Sequence, residues 1–384
     1  MNSYNSLNSF EKKERIIEIF KVFLKLGTTA FGGPASHVAM MEEEIVNKRN
    51  WLSREKFLDL YGATNLIPGP NSTELAIHLS LERGGVLGLI VGGISFISPA
   101  MLSVLALAIF YTKYGEIPSL SGILIGIKPV IISIVFLALF RLSKTLLKSK
   151  INFLFFLIAF IMSYLGIKEL PVLFTCGFLM YAYKSYRNRT FSLIPLPFIA
   201  LGVASTTYIE KLNNTKIFLI FLKIGSVLYG SGYVLLAFLE SEFIDKIPAI
   251  TTSQLIDAVA IGQFTPGPVF TTATFIGYLL NGTSGAIFAT IGIFLPSFIL
   301  VLLLNPVIPK LRSSKVFSSI LDGVNLASLA LMAFVTLKLA KNSITNWYTT
   351  LIFIISFSIL YKTKLNSSFL IIFFGILGYF MSKL

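Results

Sequence analysis

The chain has 384 residues, of which 55% are hydrophobic and only 13% are charged. Soluble domains carry roughly 25% charged residues, so this composition excludes an ordinary soluble protein and favours one that spans a membrane. The net charge of +14 does not indicate a nucleic-acid partner, because the basic residues lie in short loops beside apolar runs and form no continuous face.

Long apolar runs predict helices, since backbone groups inside lipid must be hydrogen-bonded within their own segment. In the first half the runs lie near residues 16–33, 57–81, 86–112, 120–140, 151–166 and 170–183. An unmatched run follows near 191–209, and the second half continues near 215–232, 253–280, 285–304, 318–337, 344–361 and 366–382. We therefore predict an all-α polytopic protein embedded in a lipid bilayer.

The two halves repeat each other in glycine, proline and charged positions as well as in apolar ones. Residues recur 198 positions later: Lys25 as Lys223, Gly27 as Gly225, Gly32 as Gly230, Asp59 as Asp257, Pro68-Gly69-Pro70 as Pro266-Gly267-Pro268, and Gly84 as Gly282. A one-residue deletion then places Gly126 on Gly323. We predict a first repeat at 1–188, a linker helix at 189–213 and a second repeat at 214–384.

A linker helix between two units of about six membrane segments would place the units in opposite orientations. The charged loops support this arrangement. Basic residues cluster at 141–150, 184–190, 310–315 and 362–364, and all four loops fall on one side if every segment crosses. The positive-inside tendency makes that side cytoplasmic. We predict inverted repeats in the cytoplasmic membrane, with the N-terminus inside and the C-terminus outside.

Both Pro-Gly-Pro segments lie inside long apolar runs, where proline interrupts a helix. A new helix should begin after each break, at Asn71 and Ser72 in one copy and at Thr271 and Thr272 in the other. A helix N-terminus favours an anion, and broken helices in two inverted halves mark a substrate site near the membrane midplane. The alternative is that these prolines only bend helices for packing.

Two further duplicated features are candidates for the same site. Gly32-Gly33 and Gly230-Ser231 end an apolar run, either as a second interruption or as a simple helix cap. Lys25 and Lys223 lie about two turns earlier, and an intramembrane lysine is costly enough to indicate function. Either lysine could complement a dianion, although snorkelling to the interface is an equal alternative.

The remaining polar residues give weaker signals. Glu74 and His78 follow the first break at helical spacing and have no counterpart in the second half, which suits proton coupling as well as a structural polar contact. Solvated faces are the simpler interpretation of four duplicated glutamates: Glu42, Glu44, Glu240 and Glu242. Lys128, beside Gly126, either lines the transport pathway or makes a packing contact. With one cysteine and two histidines, the sequence predicts no metal site and no cofactor, and it carries no enzyme signature.

Several motifs together resemble the chromate ion transporter family in its long form, with two fused homologous domains. They are Phe31-Gly32-Gly33-Pro34, Trp51-Leu52, Pro68-Gly69-Pro70 and Arg83-Gly84 in the first half, and Gly230-Ser231-Gly232-Tyr233, Gln263–Gly277 and Gly292–Phe298 in the second. The second copy departs from the pattern, since Gly232 stands where the first has Pro34.

The resemblance implies a cytoplasmic-membrane carrier that exports chromate, an analogue of sulfate, and confers chromate resistance. We expect alternating access, with one inverted half rocking against the other. A permease for sulfate or another small oxyanion, an anion channel and a membrane enzyme acting on lipid stay open as alternatives. A homodimer is also left open.

Overall fold

The computed structural model describes residues 4–31, 33–114, 118–188, 212–229, 232–308, 311, 314–363 and 365–381. Within those ranges the chain forms fourteen α-helices and no strand, so the all-α prediction is confirmed. The first half holds α1 (Ser9–Thr29), α2 (Pro34–Glu42), α3 (Arg54–Thr64), α4 (Asn71–Tyr114), α5 (Pro118–Leu146), α6 (Lys150–Tyr164) and α7 (Glu169–Asn188). The second half holds α8 (Asn214–Val227), α9 (Leu235–Glu240), α10 (Thr252–Phe264), α11 (Thr272–Leu304), α12 (Lys315–Ser343), α13 (Trp347–Lys362) and α14 (Ser367–Met381).

Among the described residues, four helices are long and apolar enough to cross a membrane: Asn71–Tyr114, Gly122–Leu146, Val269–Leu304 and Lys315–Ser343. Shorter apolar helices follow at Lys150–Tyr164, Trp347–Lys362 and Ser367–Phe380. These helices agree with the apolar runs of the sequence. The predicted linker helix lies outside the described residues except for its last two positions.

The longest helix of each half is folded into a hairpin. α4 bends at Gly84 and Gly85 into a short arm (71–83) and a long arm (86–114), and α11 bends at Asn281 and Gly282 into a short arm (272–280) and a long arm (283–304). Gly85 and Gly282 share a φ near +60°, so they are the matched pair. The pairing of Gly84 with Gly282 was therefore wrong by one residue, because the deletion lies before the bend and not after it.

The first four helices of each half form the centre of the molecule. α1 packs along α4, α8 packs along α11 in the same way, and α4 contacts α11. Small residues allow these close approaches, since Gly27 lies against the backbone of Phe96 and Gly225 lies against the backbone of Ile293. We call α1–α4 together with α8–α11 the central bundle.

The last three helices of each half are exchanged between the repeats. α5 packs on α13 and α14, whereas α12 packs on α6 and α7. Gly126 meets the backbone of Phe374, and Gly323 makes the matching contact with Cys176. We call α5–α7 and α12–α14 the exchanged bundle. Because helices of each half pack on helices of the other, one sequence half cannot move as a rigid body without breaking these contacts. The expectation that one half rocks against the other is therefore corrected.

Candidate functional site

Both Pro-Gly-Pro segments interrupt helices in the central bundle. The first lies between the end of α3 and the start of α4, and the second lies between α10 and the 3₁₀ turn Val269–Thr271 that leads into α11. Gly69 has a φ of +139° and Gly267 a φ of +93°, a region that disfavours any residue with a β-carbon. Pro68 and Pro70 are buried, and so is Pro268 in the second break. Proline and glycine thus form each break together.

Each break is hydrogen-bonded to the opposite half of the chain. The N–H of Gly69 donates to the carbonyl oxygen of Leu228 at 2.8 Å, and the N–H of Gly267 donates to the carbonyl oxygen of Ala30 at 2.8 Å. Ala30 and Leu228 are the C-caps of α1 and α8. Gly69 corresponds to Gly267 in the repeat, and Ala30 corresponds to Leu228. The same hydrogen bond is therefore made once in each direction between the two halves. Each break therefore holds the end of the other half's first helix.

The helix that starts after the first break presents polar side chains. Asn71 is half-buried, and its amide donates to the side-chain oxygen of Asn65 at 2.9 Å. Ser72 is buried, with its hydroxyl 3.2 Å from Nδ1 of His37. The first N–H groups of a helix have no acceptor within it, so this end carries partial positive charge.

The helix start after the second break is less polar. The Thr271 hydroxyl donates to the carbonyl of Pro268 and the Thr272 hydroxyl to the carbonyl of Val269, both at 2.8 Å. These hydroxyls are therefore committed to the local backbone, unlike the amide of Asn71. The two helix starts are equivalent in sequence position but not in the groups they offer to a ligand.

Glu74 and His78 lie one turn apart on the short arm of α4 and are fully buried. The hydroxyl of Ser297, from the long arm of α11, donates to Oε1 of Glu74 at 3.3 Å. Among the described residues, Oε2 of Glu74 and both ring nitrogens of His78 have no hydrogen-bond partner. A buried polar group without a partner is costly. The unpartnered atoms of this pair could therefore bind a proton or hydrogen-bond to a polar ligand. The second half has Thr272 and Ile276 at these positions.

Lys25 and Lys223 make equivalent ion pairs. Nζ of Lys25 lies 3.0 Å from Oε2 of Glu44, and Nζ of Lys223 lies 2.6 Å from Oε1 of Glu242. Burial opposes a charge on Glu44, yet hydrogen bonds from Lys25 and Arg49 hold the pKa of that carboxyl below its ordinary value. Each lysine is thus paired with a carboxylate, which offsets its positive charge.

The prediction of solvated faces was wrong for three of the four duplicated glutamates: Glu44, Glu240 and Glu242 are buried. They lie in the helical segments 34–48 and 235–246, which the sequence analysis left unassigned between its apolar runs. Of the glycine motif, Gly33 has a φ of +83° and precedes Pro34, the first residue of α2. Gly32, Gly230 and Ser231 lie outside the described residues.

A polar cluster that sequence reasoning did not assemble joins the two bundles. Asp257 on α10 is buried and accepts a hydrogen bond from the Tyr111 hydroxyl at 2.9 Å. Lys128 on α5 lies 3.7 Å from Oδ1 of Asp257 and donates to the Ser253 hydroxyl at 2.6 Å. Duplication singled out Asp257, but no local signal pairs it with residues more than a hundred positions away.

Comparisons with known proteins agree on one family. The model of the family described as "Chromate transporter" matches residues 17–181 and 215–379. An uncharacterized transporter of Methanocaldococcus jannaschii is 29% identical over 99% of this chain and 98% of its own length. The chromate transport protein of Cupriavidus metallidurans is 28% identical over 90% and 88%, and the probable chromate transport protein of Synechococcus elongatus is 29% identical over 93% and 92%. No solved structure is significantly similar to the chain.

Proposed function

This chain belongs to the chromate transporter family and is a multi-pass membrane protein, and we propose that it exports chromate across the cytoplasmic membrane and so confers chromate resistance. Two relatives that match most of the chain are named as chromate transport proteins. The observation that carries the proposal is the reciprocal hydrogen bonding of the two breaks, Gly69 to Leu228 and Gly267 to Ala30. It gives both repeats a shared centre built from helix ends.

The proposed substrate site lies at the two helix starts. Free N–H groups and the partial positive charge of a helix N-terminus suit a doubly charged oxyanion. The candidate ligands are residues of the two breaks, of the helix starts and of the duplicated glycine motif: Gly32, Gly33, Pro68, Gly69, Pro70, Asn71, Ser72, Gly230, Ser231, Pro266, Gly267, Pro268, Thr271 and Thr272. Two helix ends supply roughly one positive charge. Lys25 and Lys223 are proposed to leave their glutamates and neutralise the remaining negative charge of the oxyanion.

We propose alternating access in which the central and exchanged bundles move against each other. The helices that lead into the two breaks differ in exposure, which supports this mechanism. Asn65 at the end of α3 is exposed, whereas its repeat partner Gln263 at the end of α10 is buried. The approach along α3 is thus the more open one, although the Pro-Gly-Pro residues of both breaks are mostly buried.

Glu74 and His78 are proposed to couple proton movement to transport. Both are fully buried beside the first break, and each has polar atoms without a partner in the described structure. Ser297 of the second half donates a hydrogen bond to Glu74, and Tyr229 and Lys56 lie near enough to interact electrostatically with Glu74 and His78 respectively. A carboxyl group in this setting can take up a proton on one side of the membrane and release it on the other.

The function is tested by flux in proteoliposomes that contain the purified chain. We expect chromate uptake to depend on the protein and to respond to an imposed pH gradient. Competition by sulfate, molybdate and phosphate distinguishes chromate from the other tetrahedral oxyanions. Steady chromate currents without coupling to a second solute would show a channel and overturn alternating access. The proposed topology, with the N-terminus inside, is tested by protease access to terminal tags in sealed vesicles.

A further inference from the structure

His37, near the start of α2, joins the two breaks through hydrogen bonds. Its Nδ1 lies 3.2 Å from the hydroxyl of Ser72 and its Nε2 lies 3.1 Å from the carbonyl oxygen of Ala30. Ala30 is also the residue whose carbonyl accepts the N–H of Gly267. A continuous path thus runs from Ser72 at the first break to Gly267 at the second.

The chemistry of these contacts fixes the direction of each hydrogen bond. A carbonyl oxygen only accepts, so Nε2 must carry the proton and donate to Ala30. In the neutral ring Nδ1 is then bare and accepts from the hydroxyl of Ser72. The ring is 1% exposed and packs edge-on against Phe96, with ring centroids 5.8 Å apart. Its orientation therefore depends on keeping both partners.

This path exists in one half only. The repeat places Leu235 at the position of His37 and Phe270 at the position of Ser72, and neither side chain can hydrogen-bond. Leu228, which matches Ala30, accepts from Gly69. The first break is thus linked through the His37 side chain to the bond that holds the second, and Leu235 and Phe270 cannot make the equivalent link in the other direction.

We propose that His37 is a positioning residue that couples the two breaks: an oxyanion that draws the Ser72 hydroxyl away frees the imidazole, which loosens the Ala30 carbonyl from Gly267. This inference rests on the proposed transport function. Substrate binding at the first break thereby relaxes the second. His37 itself does not touch the substrate, so its loss slows turnover more than it weakens binding.

The first test measures chromate kcat and KM in proteoliposomes for His37→Leu, which copies the second half, and for His37→Gln, whose amide can still donate to Ala30. We expect His37→Leu to lower kcat about tenfold with KM within about twofold, and His37→Gln to recover part of the loss. Leu235→Met is the matched control and should behave as wild type. Equal losses in His37→Leu and His37→Gln would overturn the coupling.

The second test needs no substrate. Gln263 lies near the end of α10 beside the second break and is buried. In a Cys176→Ser background, a maleimide should label Gln263→Cys several-fold faster when His37→Leu is added, and no faster with Leu235→Met. An unchanged labelling rate would contradict the inference even where transport is normal. If the wild type moves no chromate at all, the proposed function fails and the labelling alone decides the role of His37.

Discussion

α3 and α10 occupy equivalent places in the two repeats, and each leads into a Pro-Gly-Pro break, but they lie in different surroundings. α10 contacts α5, α12 and α14 of the exchanged bundle, whereas α3 packs mainly on α4. One face of α10 is buried at Ile256, Asp257, Ala260 and Gln263. The matching face of α3 is open or only partly covered at Leu58, Asp59, Gly62 and Asn65.

The difference shows how one duplicated unit can hold two conformations. One face of α3 is open, and the matching face of α10 is covered by the exchanged bundle. Two packings of similar segments that differ by a few kcal/mol form a bistable element. Exchanging the two arrangements would cover α3 and open α10, which is the motion that the proposed alternating access requires. Substitutions at matched positions of the two repeats test whether the two arrangements are equivalent.

The largest effect is expected from alanine in place of the central glycine of either break. Gly69→Ala forces a β-carbon at a φ of +139° toward Glu74 and Ser297, and Gly267→Ala places one at a φ of +93° close to Ala100. Strain of about 3 kcal/mol at such a position is enough to displace the break. We expect chromate flux to fall about 100-fold in both variants, measured in proteoliposomes at matched protein content.

Gly166→Ala is the control for strain alone, because Gly166 has a φ of +79° but open space around its α-carbon, beyond the end of α6. It should lower thermal stability without abolishing flux. If the two break variants transported as well as Gly166→Ala, the breaks would not form the site.

The breaks could be predicted from sequence because proline restricts the backbone and glycine allows conformations that other residues disfavour, wherever they lie. The duplication and the apolar helices were readable for the same reason: they depend on local pattern. The exchange of α5 with α12 was not, since packing partners depend on tertiary contacts that no segment encodes alone. Glu44 and His37 were missed because they lie in short helices with mixed composition, where burial cannot be inferred from apolar period.

Glu74→Gln should have the next largest effect, because it removes the proposed proton site, which the second half lacks. The glutamine keeps the size of the side chain and the contact with Ser297. We expect flux driven by a pH gradient to fall about tenfold and flux down a chromate gradient to change much less. Thr272→Val, at the matched position of the second half, should leave the response to the pH gradient intact. A normal pH response in Glu74→Gln would remove this residue from the coupling mechanism.

The exchange of arrangements between α3 and α10 can be measured directly with cysteine pairs in a Cys176→Ser background. Lys128 and Asp257 are 3.7 Å apart here, and their repeat partners are Asn325 and Asp59. A short bis-maleimide should link Lys128→Cys to Asp257→Cys in resting membranes. It should link Asp59→Cys to Asn325→Cys several-fold better during chromate turnover. No gain in the second link under turnover would show that α3 never takes the place of α10.

The smallest effects are expected at Lys25 and Lys223, where the two halves are most alike. Each lysine side chain is 44–58% exposed, and each partner glutamate keeps a second cation when the lysine is removed: Arg49 beside Glu44 and Lys246 beside Glu242. Because each buried glutamate keeps that second cation, Lys25→Ala and Lys223→Ala should fold normally. A lysine that leaves its glutamate to meet the oxyanion acts on binding, so we expect the chromate KM to rise two- to fivefold with little change in kcat.

Glu44→Gln and Glu242→Gln separate the two roles of these lysines. Without the negative partner, the lysine is free to face an anion, so the glutamine variants should keep or lower the chromate KM while the alanine variants raise it. If all four variants shift KM in the same direction, the lysines serve only the ion pairs, and the charge that balances the substrate must come from the helix ends alone.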